Sequence, residues 1–214
     1  MSVRVKICGL NDEAGVDAAV AGGAAFLGFN FYPRSPRFVT PARAGALATG
    51  VPAAIVKVGL LVDADDATID ATLAAAALDM LQLHGRETPA RTAELRRRTG
   101  LPMMKVLPVA EAADVAAAAP YLDVADWLMF DARPPKDPTA LPGGNGLPFD
   151  WRLLAGRTWP LPWMLAGGLT AATLAAAVAA TGATVLDVSS GVEDGPGVKS
   201  PEKIRAFLAA AQAI

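Results

Sequence analysis

The chain has 214 residues, 53% of them hydrophobic, a formal net charge of −2, one cysteine and one histidine. That length suits a single domain that buries its own core, and a lone thiol excludes an internal disulfide, a Cys-cluster zinc site and a CxxC redox pair. The lone His84 argues likewise against a histidine metal site, and the near-neutral charge leaves no footprint for nucleic acid.

The opening MSVRVKICGL carries charges where a signal peptide would carry an apolar run, so a cytoplasmic protein is expected. From there, short β-branched or apolar runs alternate with longer alanine-rich amphipathic segments. Strands are expected over 3–8, 25–30, 54–62, 79–84, 103–108, 126–131, 163–167 and 184–189. Helices are expected over 12–20, 41–49, 65–77, 89–99, 111–119, 150–155, 170–181 and 201–212. Asn11, Thr40 with Pro41, Thr88 with Pro89, and Ser200 with Pro201 supply start signals, and Asp150 can cap the short helix before Trp151. The run LTAATLAAAVAATGATVL is broken by threonines and glycine, so it reads as a packed helix feeding a strand, and no membrane partner is expected. Arg96, Arg97 and Arg98 lie near Glu87 and Glu94 and read as a solvated helix end.

Eight βα alternations imply an α/β fold with a parallel sheet, most economically closed as a (β/α)8 TIM barrel spanning 1–214. An open doubly wound sheet is the alternative, but no GxGxxG follows the first strand. In a barrel, function belongs to the C-terminal ends of the strands. Side chains alternate along a strand, so Val3, Val5 and Ile7 face the helices while Arg4, Lys6 and Cys8 face inward. The same parity turns Gln82 with His84, Trp127 with Met129 and Asp131, and Val185 with Asp187 and Ser189 toward the interior. Cys8 and Asp131 then reach the mouth. The loops AGGL (166–169) and SSGVEDGPGVKS (189–200) let backbone N–H groups approach an anion, and a short helical turn after Ser189 would point at the same place.

Taken in order, VKICGL (5–10), GFNFYPRSPR (28–37), VKVGLLV (56–62), LQLHG (81–85), FDARPP (130–135), PGGNGLPFDW (142–151), LAGGL (165–169) and LDVSSGVEDGPGVKS (186–200) resemble the phosphoribosylanthranilate isomerase family of tryptophan biosynthesis, over nearly the whole chain. The resemblance implies an Amadori rearrangement that needs no cofactor, with a small phosphorylated sugar as substrate. It implies Cys8 as general base, Asp131 as general acid, Arg37 as the holder of the anthranilate carboxylate, and a phosphate site around Gly167, Gly168, Ser189, Ser190 and Gly191. Gln82, His84 and Asp187 are further candidates for substrate contact, Asp187 being also able to tune Cys8. Two departures stand out: Leu61 where the family pattern carries phenylalanine, a packing change beneath the mouth, and Asn145 where it commonly carries Thr or Ser.

The chemistry asks for the same residue types. Ring opening needs a proton for the furanose oxygen, and a dry mouth favours the protonated carboxyl that delivers it. Removing the C2 proton of the resulting Schiff base suits a thiolate; a free thiol titrates at about 8.5, and a neighbouring Lys6 ammonium increases the ionised fraction. The Pro- and Gly-rich RPPKDPTALPGGNG segment reads either as a flap over the substrate or as a surface loop. The four tryptophans read as packing residues. A related sugar isomerisation of histidine biosynthesis uses an aspartate at the end of strand 1 and a substrate with two phosphates, which Cys8 and one phosphate site oppose. A catalytically silent phosphosugar sensor would keep the glycine loops without the acid or base. The alanine-rich outer helices leave monomer and homodimer both open.

Overall fold

The computed structural model describes residues 3–137 and 140–214. Its strands are β1 (Arg4–Cys8), β2 (Phe26–Asn30), β3 (Val56–Leu61), β4 (Met80–Leu83), β5 (Met103–Val109), β6 (Trp127–Ala132), β7 (Trp163–Leu165) and β8 (Val185–Val188). Each pairs in parallel with the next, and β8 returns to β1, so the sheet closes as an eight-stranded barrel. The open-sheet alternative is thereby excluded.

Helices α1 (Glu13–Ala21), α2 (Pro41–Ala48), α3 (Asp66–Ala75), α4 (Pro89–Thr99), α5 (Ala112–Ala116), α6 (Leu174–Thr181) and α7 (Pro201–Gln212) surround it. Between β6 and β7 the expected helix is a single 3-10 turn at Trp151–Leu154, capped by Asp150, which accepts from Arg152 N. Thr40 and Thr88 cap α2 and α4 through their side chains. The first start signal lies one residue later than expected: Asp12 accepts from Gly15 N, while Asn11 donates to the carbonyl of Gly197. Ser200 precedes α7 without a side-chain capping bond. The helix expected over 111–119 stops at Ala116 and gives way to a 3-10 turn at Ala119–Tyr121, because Pro120 has no N–H to continue the ladder.

Two apolar layers follow from strand parity. Ile7, Leu27, Phe29, Leu81, Leu128, Phe130, Leu165 and Leu186 point outward and pack under the helices. Phe26, Val58, Met80, Met104, Val106, Met129, Met164 and Val185 fill the barrel itself, with Trp127 against them. Arg4 closes the lower end, its guanidinium 4.9 Å from the Phe26 ring centre and 5.6 Å from that of Trp127. Trp159 and Trp163 pack on Phe130, tilted and edge-on, with ring centres 4.9 and 5.8 Å away, which makes all of these rings packing elements. Leu61 belongs to the outer layer, so it does not pack beneath the mouth; its neighbour Leu60 faces the pocket. Arg96 and Arg98 are paired with Asp126 and with Asp66 and Asp70, a solvated network at the end of α4. Among the described residues no helix is long and apolar enough to cross a membrane.

Candidate active site

The upper end of the barrel holds two adjoining hollows. The first, about 450 Å³, is lined by Cys8 at the end of β1, Gln82 and His84 on and just beyond β4, Asp131 on β6, Asp187 on β8, and Arg37 from the loop after β2. The second, about 410 Å³, shares Asp131, Asp187 and Ser189 with it and continues along Gly167, Gly168 and Ser190. The residues singled out in the sequence therefore converge, except that Gly191 is not among the lining residues. It sits behind the second hollow, where a side chain would run into the carbonyl oxygen of Leu169.

Strand register creates the charge arrangement below Cys8. Lys6 of β1 is the neighbour of Asp187 of β8, and both point inward. Lys6 Nζ donates to Asp187 Oδ1 at 2.8 Å and the lysine has no exposed surface. Burial alone opposes that charge, but Asp187 and then the Cys8 side chain hold the ammonium above the ordinary lysine range. Both Lys6 Nζ and Cys8 Sγ lie over Gly28, 2.9 and 3.1 Å from where its Cβ would stand. For Cys8 itself, burial pushes the thiol up; Lys6 pulls it down, Asp187 adds to the rise, and the net result is a raised pKa. The expected help from Lys6 is real in sign but outweighed by burial.

Across the mouth, Asp131 is oriented from two sides. Its Oδ1 accepts from Ala132 N at 2.8 Å and its Oδ2 lies 3.4 Å from His84 Nε2. Gln82 Nε2 stands 3.2 Å from His84 Nδ1. With the amide nitrogen donating to Nδ1, the ring proton sits on Nε2 and faces the carboxylate. Gln82 Oε1 is buried without a hydrogen-bond partner.

Arg37 arrives over the end of β1. Its stem crosses Gly9, where a Cβ would fall 2.7 Å from Arg37 Cδ and where φ is +76°, so only glycine fits after the cysteine. The loop that carries it is pinned by two residues the sequence reading passed over: Asn30 donates to Ser35 Oγ, and Ser35 Oγ accepts from Arg37 N, each at 3.1 Å. Two more were missed, Glu193 and Lys199, which pair across a short antiparallel hairpin, Glu193–Gly195 with Val198–Lys199. Glu193 takes Arg37 Nε and Nη2 at 2.7 and 2.8 Å and Lys199 Nζ at 2.7 Å. An acidic residue inside a loop read as anion-binding was the available signal, since such a charge needs cations around it.

The second hollow depends on backbone shape. Gly168 has φ +65°, and a Cβ there would lie 2.7 Å from Pro148 N. Residues 141–147 from the loop after β6 line the two hollows between them and Gly143 lies against His84 and Asp131, so this part of the segment borders the mouth. Asn145 donates to the Leu141 carbonyl at 2.9 Å. Pro138 and Thr139 of the same segment lie outside the described residues.

A family model described as N-(5'phosphoribosyl)anthranilate (PRA) isomerase matches residues 5–210. The chain belongs to this family. It is 57% identical over 212 residues to the N-(5'-phosphoribosyl)anthranilate isomerase of Paramagnetospirillum magneticum, covering 99% of this chain and 98% of that one. It is 57% identical over 213 residues to that of Paracoccus denitrificans, covering 100% and 99%. Among solved structures, phosphoribosyl anthranilate isomerase from Thermotoga maritima superposes with a TM-score of 0.86 at 28% identity, over 99% of this chain and 100% of that one. A phosphoribosyl anthranilate isomerase in complex with reduced 1-(o-carboxyphenylamino)-1-deoxyribulose 5-phosphate superposes with a TM-score of 0.83 at 28% identity, with the same coverage. With full-length relatives at this identity, the protein is an enzyme of the isomerase class.

Proposed function

We propose that the enzyme converts N-(5-phosphoribosyl)anthranilate into 1-(2-carboxyphenylamino)-1-deoxyribulose 5-phosphate, with Cys8 as general base and Asp131 as general acid. The observation that carries this reading is the shared pocket of Cys8, Asp131 and Arg37, which opens directly into a glycine-lined hollow. Asp131 gives its proton to the furanose ring oxygen as the anthranilate nitrogen lone pair forms the C1–N double bond and the C1–O bond breaks. The Cys8 thiolate then removes the C2 proton, and those electrons close the C1–C2 double bond of an enolamine. Tautomerisation protonates C1 and leaves a ketone at C2.

The surroundings support each assignment. An inward carboxyl with one oxygen held by the Ala132 N–H and the other 3.4 Å from the His84 ring is placed for directed proton transfer. A thiol pushed up by burial is a stronger base once ionised, and the Lys6 ammonium beneath it stabilises that ionised form. Arg37 offers a planar cation to a planar carboxylate. The phosphate is received by backbone around Gly167, Gly168, Ser189, Ser190 and Gly191, with Gln82, His84 and Asp187 along the sugar. No step requires a redox group.

The test is the decay of anthranilate fluorescence when the purified enzyme meets phosphoribosylanthranilate generated in place, with a no-protein control and chromatographic identification of product. Cys8→Ala and Asp131→Ala are each expected to lower turnover by roughly 100-fold or more, the range of general acid–base catalysis, while the circular dichroism spectrum stays native. Near-normal turnover by either variant removes that residue from its role.

A further inference from the structure

Arg37 reaches the pocket with most of its donors already committed. Its Nε and Nη2 form a side-on bidentate pair with Glu193, and both side chains are more than nine-tenths buried, at 6% and 4% exposure. Nη2 donates a second time, to the Gly144 carbonyl at 3.1 Å. Nη1 is the nitrogen left without a protein partner among the described residues.

This arrangement raises a problem of charge. A guanidinium matched to a buried carboxylate is a neutral pair, and a neutral pair has little attraction left for an incoming anion. Lys199 resolves it. Its side chain has no exposed surface, and its Nζ donates to Glu193 Oε1 at 2.7 Å, to the Ser189 carbonyl at 3.0 Å and to Ser189 Oγ at 3.3 Å. Burial pulls its pKa below the ordinary lysine value and the Glu193 carboxylate pulls the other way; three oxygen acceptors around one nitrogen are what an ammonium with three protons requires. The hairpin that brings Glu193 and Lys199 into register as cross-strand neighbours, together with the Gly197 N–H 3.3 Å from Glu193 Oε2, completes the shell around the carboxylate.

We propose that Glu193 and Lys199 are a positioning pair for Arg37: Glu193 grips the guanidinium so that Nη1 faces the pocket, and Lys199 restores one net positive charge, so the cluster still draws in the substrate's carboxylate. The proposal rests on the reading of Arg37 as the carboxylate anchor. Neither residue touches the reacting atoms. Both act through Arg37, and Lys199 also buttresses Ser189, which in turn donates to the Cys8 carbonyl at 3.1 Å.

The experiment measures, by calorimetry on the whole chain, the Kd of two reduced product analogues that differ in one group: 1-(2-carboxyphenylamino)-1-deoxyribitol 5-phosphate and its phenylamino counterpart without the carboxyl. The ratio of the two affinities reports the carboxylate contact alone, and a purely structural defect, weakening both ligands together, leaves it unmoved. Wild type is expected to prefer the carboxylated ligand by about 100-fold and Arg37→Met to lose nearly all of that preference. Glu193→Gln should reduce it by about tenfold, or 1.4 kcal/mol. Lys199→Met, whose Arg37–Glu193 pair is neutral, should also reduce it. A Glu193→Gln variant with the wild-type ratio overturns the proposal while Arg37→Met still loses it; an Arg37→Met variant with the wild-type ratio overturns the underlying reading instead. The Glu193→Gln arm decides by itself should Lys199→Met not fold.

Discussion

The two halves of the Lys6–Asp187 pair should move the Cys8 thiol in opposite directions. Lys6 Nζ and Cys8 Sγ lie 2.9 and 3.1 Å from one point over Gly28, so they are at most about 6 Å apart. At an effective dielectric of about 20, a unit charge at that range is worth roughly 3 kcal/mol, or about two pKa units. Asp187, 2.8 Å from Lys6, cancels much of it, and burial then leaves the thiol raised. Asp187→Asn removes a charge that raises the thiol and frees one that lowers it. The thiol pKa should fall, and the thiolate fraction near neutral pH should rise by roughly tenfold or more. Lys6→Met removes the opposing cation and should push the thiol up by a similar amount. The assay is the rate of iodoacetamide alkylation against pH, followed by intact mass. The chain has a single cysteine, so every adduct reports Cys8. In wild type the thiol is above its ordinary value, so alkylation should be slow near neutrality and climb through the alkaline range. Either variant leaves a buried charge unpaired and should lose about 3–5 kcal/mol of stability. An Asp187→Asn profile that stays in place or moves to higher pH refutes the electrostatic account, as does a Lys6→Met profile that moves to lower pH.

Other perturbations give simpler readouts. Phe130→Ala empties a fully buried site between Trp159 and Trp163 and should cost about 3–5 kcal/mol, lowering Tm by roughly 6–20 °C in a thermal melt. Gly168→Ala places a Cβ 2.7 Å from Pro148 N at a positive φ, so the backbone at 147–148 must shift; inhibition by inorganic phosphate should weaken by about tenfold and Tm should fall by roughly 2–8 °C, and unaltered inhibition would show that this hollow does not receive phosphate. Lys105→Met strands the buried Glu87, to which Lys105 Nζ donates at 2.7 Å, and should cost about 3–5 kcal/mol without moving the Cys8 titration, since Lys105 on β5 and Glu87 in the loop after β4 are not among the charges that act on the thiol.

The barrel was legible because parallel strands buried on both faces leave a strong pattern, and parity then assigned inward and outward residues correctly on β1, β4, β6 and β8. Boundaries were less legible where backbone chemistry intervenes. Strand β7 ends at Leu165 because Gly167 and Gly168 turn to positive φ, and α6 begins at Leu174 because Thr170 and Thr173 first close a turn on each other. In the site, residues at strand ends were found because a strand fixes where its last side chain points. Glu193 and Lys199 were not, because Glu193 acts on Arg37, 156 residues away, which only the closed barrel brings to it, and Lys199 reaches that site through Glu193. Asn11 illustrates the same limit: its capping capacity is local, but its actual partner, Gly197, is 186 residues distant.

Buried charge is the feature that separates the two ends of this barrel. Among the described residues, Lys6, Lys105 and Lys199 are buried, each against a carboxylate: Asp187, Glu87 and Glu193. Such pairs contribute little net stability, because desolvation offsets their attraction, and apolar residues of similar size often serve as well. The inner layer made of Phe26, Met80, Met104, Met129, Met164 and Val185 shows that the barrel can be filled without them. Their positions therefore carry the meaning. One pair lies under the thiol, one behind the Arg37 guanidinium, and one ties down the turn after His84, where Lys105 Nζ donates to the Gly85 carbonyl at 2.8 Å and Glu87 accepts from the N–H groups of Gly85 and Asp63. Each fixes an element that lines the mouth. The apolar lower barrel supplies the stability that tolerates them, which is the division expected when chemistry sits at the C-terminal ends of the strands and folding energy below.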